Sequence, residues 1–361
     1  MTDVPLISHP DDVTPEWLTT VLTRAGQLDG GRVASIDPTP VGTGQVGDSV
    51  RFGLTYEGGS GPATVVGKFP SEDETSRASS VATRTYEIET RFYQQLRDRV
   101  DIATPEPYLA LLDVEANEFV LIMNDLAPAE QGDQMRGCTV DEAALGLEEA
   151  AKLHAPLWGD SSLVGVDWLD RASPEGQSFY VQLLGMLYPG FLERYGDRVD
   201  AEVAELGQVL VEQLAGYMAT RPEPLTVTHG DYRVDNMLFG TTEGGAPLTV
   251  VDWQTAALAP AMVDVSYLLG TSLTPEDRAA HEHDLVAQYH QHLLTAGITD
   301  FDFDRCWHDY RRFAFSGFLM AVGASMIVGQ TDRGDEMFMA MANRSGRMAV
   351  ELESLALIDG E

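Results

Sequence analysis

The stretch Thr228-His229-Gly230-Asp231-Tyr232-Arg233-Val234-Asp235-Asn236, followed by Val250-Val251-Asp252-Trp253, carries most of the information in this chain. Three of its polar residues, Asp231, Asn236 and Asp252, each lie beside an apolar run. These runs are Leu225-Thr226-Val227, Met237-Leu238-Phe239 and Leu248-Thr249-Val250-Val251. The pattern predicts a strand, a polar loop, a second strand, a turn and a third strand. Rigid strands would hold the loop, and the charges on it, in fixed positions.

The residue types in this stretch suit phosphoryl transfer. Asp231 is the candidate catalytic base, which orients an acceptor hydroxyl and takes its proton. Asn236 and Asp252 are the candidate ligands of Mg²⁺, an ion that binds oxygen atoms and lies against nucleotide phosphates. The alternative is that Asp231 and Asp252 are capping or turn carboxylates and that Asn236 is a turn residue.

Length, composition and charge bound the class of protein. The 361 residues have the apolar fraction of a globular protein and suit two lobes. A formal charge of −34 argues against nucleic acid or an anionic membrane as a partner. Cys138 and Cys306 lie far apart and in no metal-binding spacing. No segment is typical of a signal peptide or a membrane span, so we expect a cytoplasmic protein without membrane insertion.

The periodicity of apolar residues changes after Asp125, from alternation to long helical periods. We therefore predict an α+β fold, with a small mixed β-sheet lobe at residues 1–125 and a large, mainly helical lobe at 126–361. In the small lobe we predict a helix after Thr14, strands at 33–69, a helix at 84–96 and a hairpin at 109–123. Helices are predicted in the large lobe at 141–158, 174–194, 201–220, 275–296, 303–328 and 334–357.

Gly42, Gly44 and Gly47 have the spacing G-x-G-x-x-G. A dinucleotide-binding turn would continue into a helix, whereas residues 49–56 alternate as a strand does. This favours a glycine-rich flap over ATP, in which backbone N–H groups approach phosphate without a Cβ in the way. Ser49 would add a hydroxyl to a phosphate. The alternative is an ordinary glycine-rich turn.

Lys68 lies near the end of the apolar run 64–69 and is one of only two lysines in the chain, the other being Lys152. A lysine at the end of a buried strand needs a partner for its charge. Phosphate oxygens and a carboxylate are the expected partners. The helix predicted from residue 84 offers Glu87 and Glu89, which lie about 200° apart on a helical wheel, so only one of them can face Lys68.

The pattern His229-x-Asp231-x-x-x-x-Asn236, with Asp252 after a later strand, resembles the aminoglycoside phosphotransferase-like (choline kinase-like) family, relatives of the protein kinases. Asp252-Trp253-Gln254 and Leu153-His154-Ala155-x-x-Trp158 are most similar to its ecdysteroid-kinase and acyl-CoA-dehydrogenase-associated kinase branch. The resemblance implies a bilobal protein-kinase-like fold that binds ATP and Mg²⁺. It also implies transfer of a phosphoryl group to an alcohol.

The resemblance also implies roles for further residues. Glu89 is the expected partner of Lys68, because in the family this glutamate precedes an aromatic-rich turn, and Glu87 is the alternative. The hinge beside adenine corresponds to Met123, Asn124, Asp125 and Leu126. Many family members carry an acidic residue where Asn124 stands, a difference of little consequence because the backbone contacts the adenine.

The loop around Asp231 has its own expected supports. His229 and Asp264 are expected to be structural, with Asp264 binding the loop through backbone N–H groups. Arg233 is placed beside Asp231 as a catalytic residue, because protein kinases carry a lysine there near the transferred phosphoryl group. Pairing of Arg233 with Asp235 is the alternative.

The segment after Asp252 lacks the Asp-Phe-Gly and Ala-Pro-Glu sequences of protein kinases, so we expect a small-molecule alcohol acceptor and no protein substrate. Apolar side chains of the C-terminal helices would favour an apolar acceptor if some of them face the site; otherwise they are core. Four histidines at 281, 283, 290 and 292 suggest either a metal site or, more simply, a solvated helix face. Two rival functions remain: a catalytically silent nucleotide-binding pseudokinase or scaffold, and an AMP transferase.

Overall fold

The computed structural model describes residues 4–42 and 47–358, which divide into two compact units. The first unit contains the described residues up to Arg99, together with Thr104–Pro128 and Val251–Thr255. The second unit contains the remaining segments, Val100–Ala103, Ala129–Val250 and the chain from Ala256. The segment that carries Asp252 therefore packs with the N-terminal part of the chain, far from it in sequence.

The first unit is built on a five-stranded antiparallel sheet in the order β1-β2-β3-β5-β4. Its strands are β1 (Arg32–Pro40), β2 (Gly47–Glu57), β3 (Thr64–Pro70), β4 (Pro107–Asp113) and β5 (Glu118–Asn124). The alternation of residues 49–56 and the hairpin at 109–123 are thus confirmed. Phe52 on β2 and Phe69 on β3 are fully buried and belong to the core of this unit.

Helices of the first unit are α1 (Pro15–Arg24), α2 (Glu74–Thr83) and α3 (Thr85–Arg91). Helix α1 begins as predicted, since the Thr14 hydroxyl accepts the N–H of Trp17 at 3.1 Å and Pro15 occupies the first turn. The helix predicted at 84–96 is present, but it begins after Arg84 and changes from α-helical to π-helical geometry at Phe92. Arg84 adopts a left-handed conformation (φ 59°), and a π-helical turn at Phe92–Leu96 follows α3.

The second unit is mainly helical. Its helices are α4 (Val140–His154), α5 (Pro174–Tyr195), α6 (Ala201–Ala219), α7 (Met262–Ser272), α8 (Pro275–Thr295), α9 (Phe303–Arg312), α10 (Ser316–Ile327) and α11 (Asp332–Glu351). The prediction of one continuous helix at 303–328 is wrong, because a 3-10 turn at Phe313–Phe315 separates α9 from α10. The guanidinium of Arg312 donates to the carbonyl oxygen of Tyr217 at 3.0 Å, a tertiary contact made at this break.

Two small sheets of the second unit carry the polar loop. Their strands are β6 (Glu130–Gln131), β7 (Leu225–Thr228), β8 (Met237–Thr241), β9 (Gly244–Val250) and β10 (Ala257–Pro260). Strand β7 pairs with β10, and β8 lies between β6 and β9. The predicted order of strand, loop, strand, turn and strand is confirmed, with a 3-10 turn at Val234–Asn236 before β8. No helix among the described residues is long and apolar enough to span a membrane.

Candidate active site

The loop after β7 is anchored through its backbone to helix α7. Asp264, fully buried on α7, accepts the N–H of His229 at 2.7 Å and the N–H of Gly230 at 2.9 Å. Nε2 of His154 lies 3.2 Å from the same carboxylate. Gly230 has a φ of 82°, a left-handed conformation that favours glycine. Asp264 therefore holds the turn that presents Asp231.

Asp264→Ala should lower the free energy of unfolding by about 3 to 5 kcal/mol, because the N–H groups of buried His229 and partly buried Gly230 lose their charged acceptor. The matched control is Asp302→Ala, which removes an exposed carboxylate that accepts the N–H of Arg305 at the start of α9. Loss of that cap should reduce stability by about 1 kcal/mol. Urea unfolding followed by circular dichroism measures both values, and equal losses would contradict the anchoring role.

The carboxylate of Asp231 receives hydrogen bonds from three side chains of the second unit. Nε of Arg233 donates to both oxygens, at 3.0 and 3.1 Å. Nδ2 of Asn236 donates to Oδ2 at 2.9 Å, and the Tyr267 hydroxyl donates to Oδ1 at 2.6 Å. Burial raises the pKa of Asp231, but Arg233 and these hydrogen bonds lower it by more. The carboxylate is therefore ionised at neutral pH, the form that can accept a proton.

Arg233 is bound by two carboxylates. Its Nη1 donates to Oδ2 of Asp235 at 2.7 Å, while its Nε faces Asp231. Asp235 also accepts the N–H of Gln134 at 2.8 Å. Burial lowers the pKa of Arg233, but the carboxylates raise it by more, so the guanidinium stays charged. The pairing with Asp235, one of the two alternatives for Arg233, is present, and contact with a phosphoryl group stays a prediction.

Lys68, Glu89 and Asp252 form an ion-pair cluster within the first unit. Nζ of Lys68 lies 2.6 and 2.8 Å from the two oxygens of Glu89 and 3.0 Å from Oδ1 of Asp252. Burial lowers the pKa of Lys68, but Asp252 and Glu89 raise it by more, so the ammonium stays charged. Burial also raises the pKa of Glu89. We take Glu89 as ionised, because a neutral Glu89 would leave the buried ammonium with a single carboxylate.

Glu87 binds other partners. Its oxygens accept from Nε of Arg84 at 2.9 Å and from Nε of Arg91 at 2.7 Å. Of the two glutamates that the sequence offered, Glu89 is therefore the one that lies on Lys68.

Asp252 is fixed by its backbone and by its neighbours. Its φ of 69° lies in the left-handed region, which aspartate tolerates better than most residues. Trp253 is fully buried and stacks on Phe92, with ring centroids 3.8 Å apart and planes 2° apart. Nε2 of Gln254 donates to Oδ2 of Asp252 at 3.2 Å. The stack joins the turn after β9 to the residue that follows α3, and α3 is the helix that carries Glu89.

The predicted ligands of Mg²⁺ have suitable donor atoms. Asn236 directs Nδ2 to Asp231, which turns its amide oxygen away from that residue, and Asp252 offers a carboxylate. The two lie in different units, so the fit holds for each residue by itself. Among the described residues, no three His, Cys, Asp or Glu side chains form a metal site of their own. Each of the two side chains therefore offers an oxygen donor of the kind that Mg²⁺ prefers, and a shared ion stays a prediction.

The predicted glycine stretch is described in part, and Gly44 lies outside the described residues. Gly42 has a φ of 78°, and Gly47 begins β2. A Cβ at Gly47 would lie 3.0 Å from a backbone oxygen of β3, which is closer than most side chains approach. Ser49 pairs with Lys68 across β2 and β3. A strand follows the glycines, as expected for a phosphate-binding flap and not for a dinucleotide-binding turn.

The predicted hinge lies at the end of β5. Met123 is buried in the sheet, and the N–H of Asn124 already donates at 3.0 Å to the carbonyl of the residue before β4. The Asp125 carboxylate is bound by Arg51 at 2.6 and 3.0 Å. Leu126 is half-buried. The Asn124 N–H is thus engaged within the sheet, and an adenine contact through the backbone of Asp125 or Leu126 stays a prediction.

Histidines of helix α8 make separate local contacts. His281 bonds to the carbonyl oxygen of Asp277 at 2.9 Å, and His290 bonds to that of Phe301 at 2.7 Å. The ring of His283 packs against Trp307. These contacts favour a structural role.

The apolar side chains of the C-terminal helices are largely core. The buried members are Tyr310, Phe313, Phe315, Phe318, Met337, Phe338, Met339 and Met341. Sδ of Met337 lies 3.4 Å from Nη1 of Arg233, so this methionine reaches the loop that carries Asp231. The expectation of an apolar acceptor depended on such side chains facing the site, and their burial gives it little support.

Tyr267 is the site residue that sequence reasoning missed. It lies on α7 three residues after Asp264, so the two share a face of the helix. Asp264 is expected from the sequence to bind the loop, so a residue three positions later on the same helix face is expected to face the loop as well.

Comparisons with known proteins confirm the resemblance seen in the motifs. A sequence model of the Ecdysteroid kinase-like family matches residues 177–297. The Acyl-CoA dehydrogenase family member 10 of Mus musculus is 27% identical in an alignment of 151 residues that covers 38% of this chain and 13% of the mouse protein. The chain therefore corresponds to a small part of that relative's length.

Solved structures share the fold. Choline kinase from Cryptosporidium parvum Iowa II is 10% identical, with a TM-score of 0.53 over 90% of each chain. The GDP complex of a mutant aminoglycoside 2'-phosphotransferase-IIIa is 16% identical, with a TM-score of 0.50 over 91% of this chain and 96% of that one. The predicted fold class is confirmed: the chain has the protein-kinase-like fold of small-molecule phosphotransferases.

Proposed function

We propose that this chain is an ATP-dependent kinase that transfers the γ-phosphoryl group to the hydroxyl of a small alcohol. The observation that carries the proposal is the partly buried, ionised carboxylate of Asp231, oriented by three donors on a loop that Asp264 anchors. A carboxylate held in this way can orient a hydroxyl and receive its proton. The match to the Ecdysteroid kinase-like family includes this loop and supports the proposal.

Asp231 would accept a hydrogen bond from the acceptor hydroxyl. It takes the proton as the acceptor oxygen bonds to the γ-phosphorus, while the bond from that phosphorus to the bridging oxygen breaks and ADP leaves. The transition state of such transfers is loose, so the reaction gains more from position than from a strong nucleophile. The donors around Asp231 supply that position before the acceptor binds.

Lys68 would bind the α- and β-phosphate oxygens, with Glu89 orienting its ammonium. Mg²⁺, when bound, neutralises charge on the phosphates, and Asn236 and Asp252 are the residues that would hold it. The solved aminoglycoside 2'-phosphotransferase-IIIa is a GDP complex, which supports a nucleotide in a protein of this fold. The charged state of Lys68 suits an anionic ligand.

Glu89→Gln should weaken binding of Mg-ATP by about tenfold, because an amide holds the Lys68 ammonium less strongly than a carboxylate does. The matched control is Glu87→Gln, two residues away on α3, whose partners are arginines. It should keep the affinity within about twofold. Isothermal titration calorimetry measures the affinity of both variants for Mg-ATP. Equal losses of affinity would contradict a role of Glu89 in nucleotide binding.

The proposed function is tested with γ-³²P-ATP, Mg²⁺ and pooled alcohols: aminoglycosides, macrolides, sterols, sugars, choline and hydroxyacyl-CoAs. Label that moves to one acceptor class supports a kinase. Absence of transfer, with Mg-ATP still bound in a thermal-shift assay, supports a pseudokinase. Transfer of label from α-³²P-ATP supports an AMP transferase.

A further inference from the structure

Helix α7 binds the catalytic loop at two points. Asp264 binds the backbone of the loop, and Tyr267, one turn further along α7, binds the carboxylate of Asp231. Tyr267 is 1% exposed, so its hydroxyl has no bulk water to bond with instead. Burial raises the pKa of Tyr267 well above its usual range, so the phenol keeps its proton and acts as a donor.

A carboxylate has about four lone-pair positions, two on each oxygen. On Asp231, Tyr267 and Arg233 lie on Oδ1, while Asn236 and Arg233 lie on Oδ2. An acceptor hydroxyl must therefore replace one of these donors. The bond from Arg233 is the one to exchange, because its single Nε–H is divided between both oxygens and the same guanidinium has Asp235 as a second partner.

Tyr267 and Asn236 then remain, one on each oxygen of Asp231. Two donors on opposite oxygens define the plane of the carboxylate. The bond from Tyr267 is the shorter of the two, 2.6 Å against 2.9 Å. Tyr267 also lies on α7, the helix whose Asp264 anchors the loop. The carboxylate of Asp231 and the backbone of the loop are therefore positioned by the same rigid element.

We propose that Tyr267 is the positioning residue of the catalytic carboxylate: its hydroxyl fixes the plane of Asp231 while an acceptor alcohol takes the place of Arg233. This inference rests on the proposed kinase function. Tyr267 does not exchange a proton with the acceptor; it acts through Asp231.

Tyr267→Phe removes this hydroxyl and leaves the ring. It should lower the rate of label transfer at saturating Mg-ATP by about ten- to a hundredfold, because a misplaced reacting group loses rates of this order. The half-saturating concentration of Mg-ATP should change by less than about threefold. The control is Tyr188→Phe, a buried tyrosine whose hydroxyl donates to the carbonyl oxygen of Ala204 at 2.8 Å. Equal losses of rate in the two variants would overturn the proposal.

The route through Asp231 is tested with the double variant. If Tyr267 acts through Asp231, adding Tyr267→Phe to Asp231→Asn should cause no further loss of residual transfer. If the double variant instead loses transfer by the product of the two single-variant factors, Tyr267 acts independently of Asp231. That result would overturn the proposal.

A second measurement does not depend on catalysis. The shifts in Tm caused by Tyr267→Phe and Asp231→Asn should be non-additive, because the two side chains share one hydrogen bond. The shifts of Tyr188→Phe and Asp231→Asn should add. If the wild-type protein transfers label to no acceptor, the kinase proposal fails. If the Tm shifts of Tyr267→Phe and Asp231→Asn are additive, the contact between Tyr267 and Asp231 is refuted.

Discussion

Asp231→Asn should lower phosphoryl transfer by a factor of about 10² to 10⁴, the contribution typical of a general base. The amide keeps the size of the side chain but cannot take the proton of the acceptor hydroxyl. Binding of Mg-ATP should persist, because the Lys68 cluster belongs to the first unit and does not include Asp231. Transfer assays and calorimetry with Mg-ATP on the same preparation separate the two effects.

Asp235→Asn is the matched control for that variant. Asp235 lies four residues along the loop and binds the same guanidinium of Arg233, so this change removes one carboxylate from a similar environment. Its loss of transfer should be much smaller, because Asp235 holds Arg233 and is not assigned a proton. Wild-type turnover in Asp231→Asn, or an equal loss in both variants, would exclude Asp231 as the base.

Lys68→Met should produce the second large effect, a loss of about a hundredfold or more in transfer efficiency. The change keeps an unbranched side chain, one heavy atom shorter, and removes the cation from the proposed phosphate contact. It also leaves Glu89 and Asp252 without their shared partner, so one of these carboxylates should become protonated or turn away. Steady-state kinetics with varied Mg-ATP should show a raised KM and a lowered kcat.

Lys152 provides the control, because it is the other lysine of the chain. It lies on α4, is partly exposed, and pairs with Glu148 at 2.9 Å and Glu149 at 2.8 Å. The pair with Glu148 is exposed, and surface pairs of this kind contribute about 1 kcal/mol or less. Lys152→Met should therefore leave transfer within about twofold of the wild type. If Lys68→Met has the same KM for Mg-ATP and the same kcat as the wild type, Lys68 does not bind the nucleotide.

Much of the fold could be predicted because its signals are local. Apolar runs predicted the strands on either side of Asp231 and Asn236, and the Thr14-Pro15 pair predicted the start of α1. The break in the helix predicted at 303–328 could not be found in this way. A 3-10 turn changes the period only from 3.6 to 3.0 residues, which a few apolar side chains cannot distinguish.

The sequence by itself determined where the strands and loops lie and which polar residues stand at the strand ends. It could do so because strands and loops are signalled by residues that are neighbours in the chain. Only the tertiary structure decided that Glu89 and not Glu87 pairs with Lys68, and that Asp252 joins the same cluster. It also decided that Tyr267 donates to Asp231. The physical reason is that these contacts join side chains on separate elements. Spacing along one helix shows which residues share a face, but not which side chain of another element that face contacts.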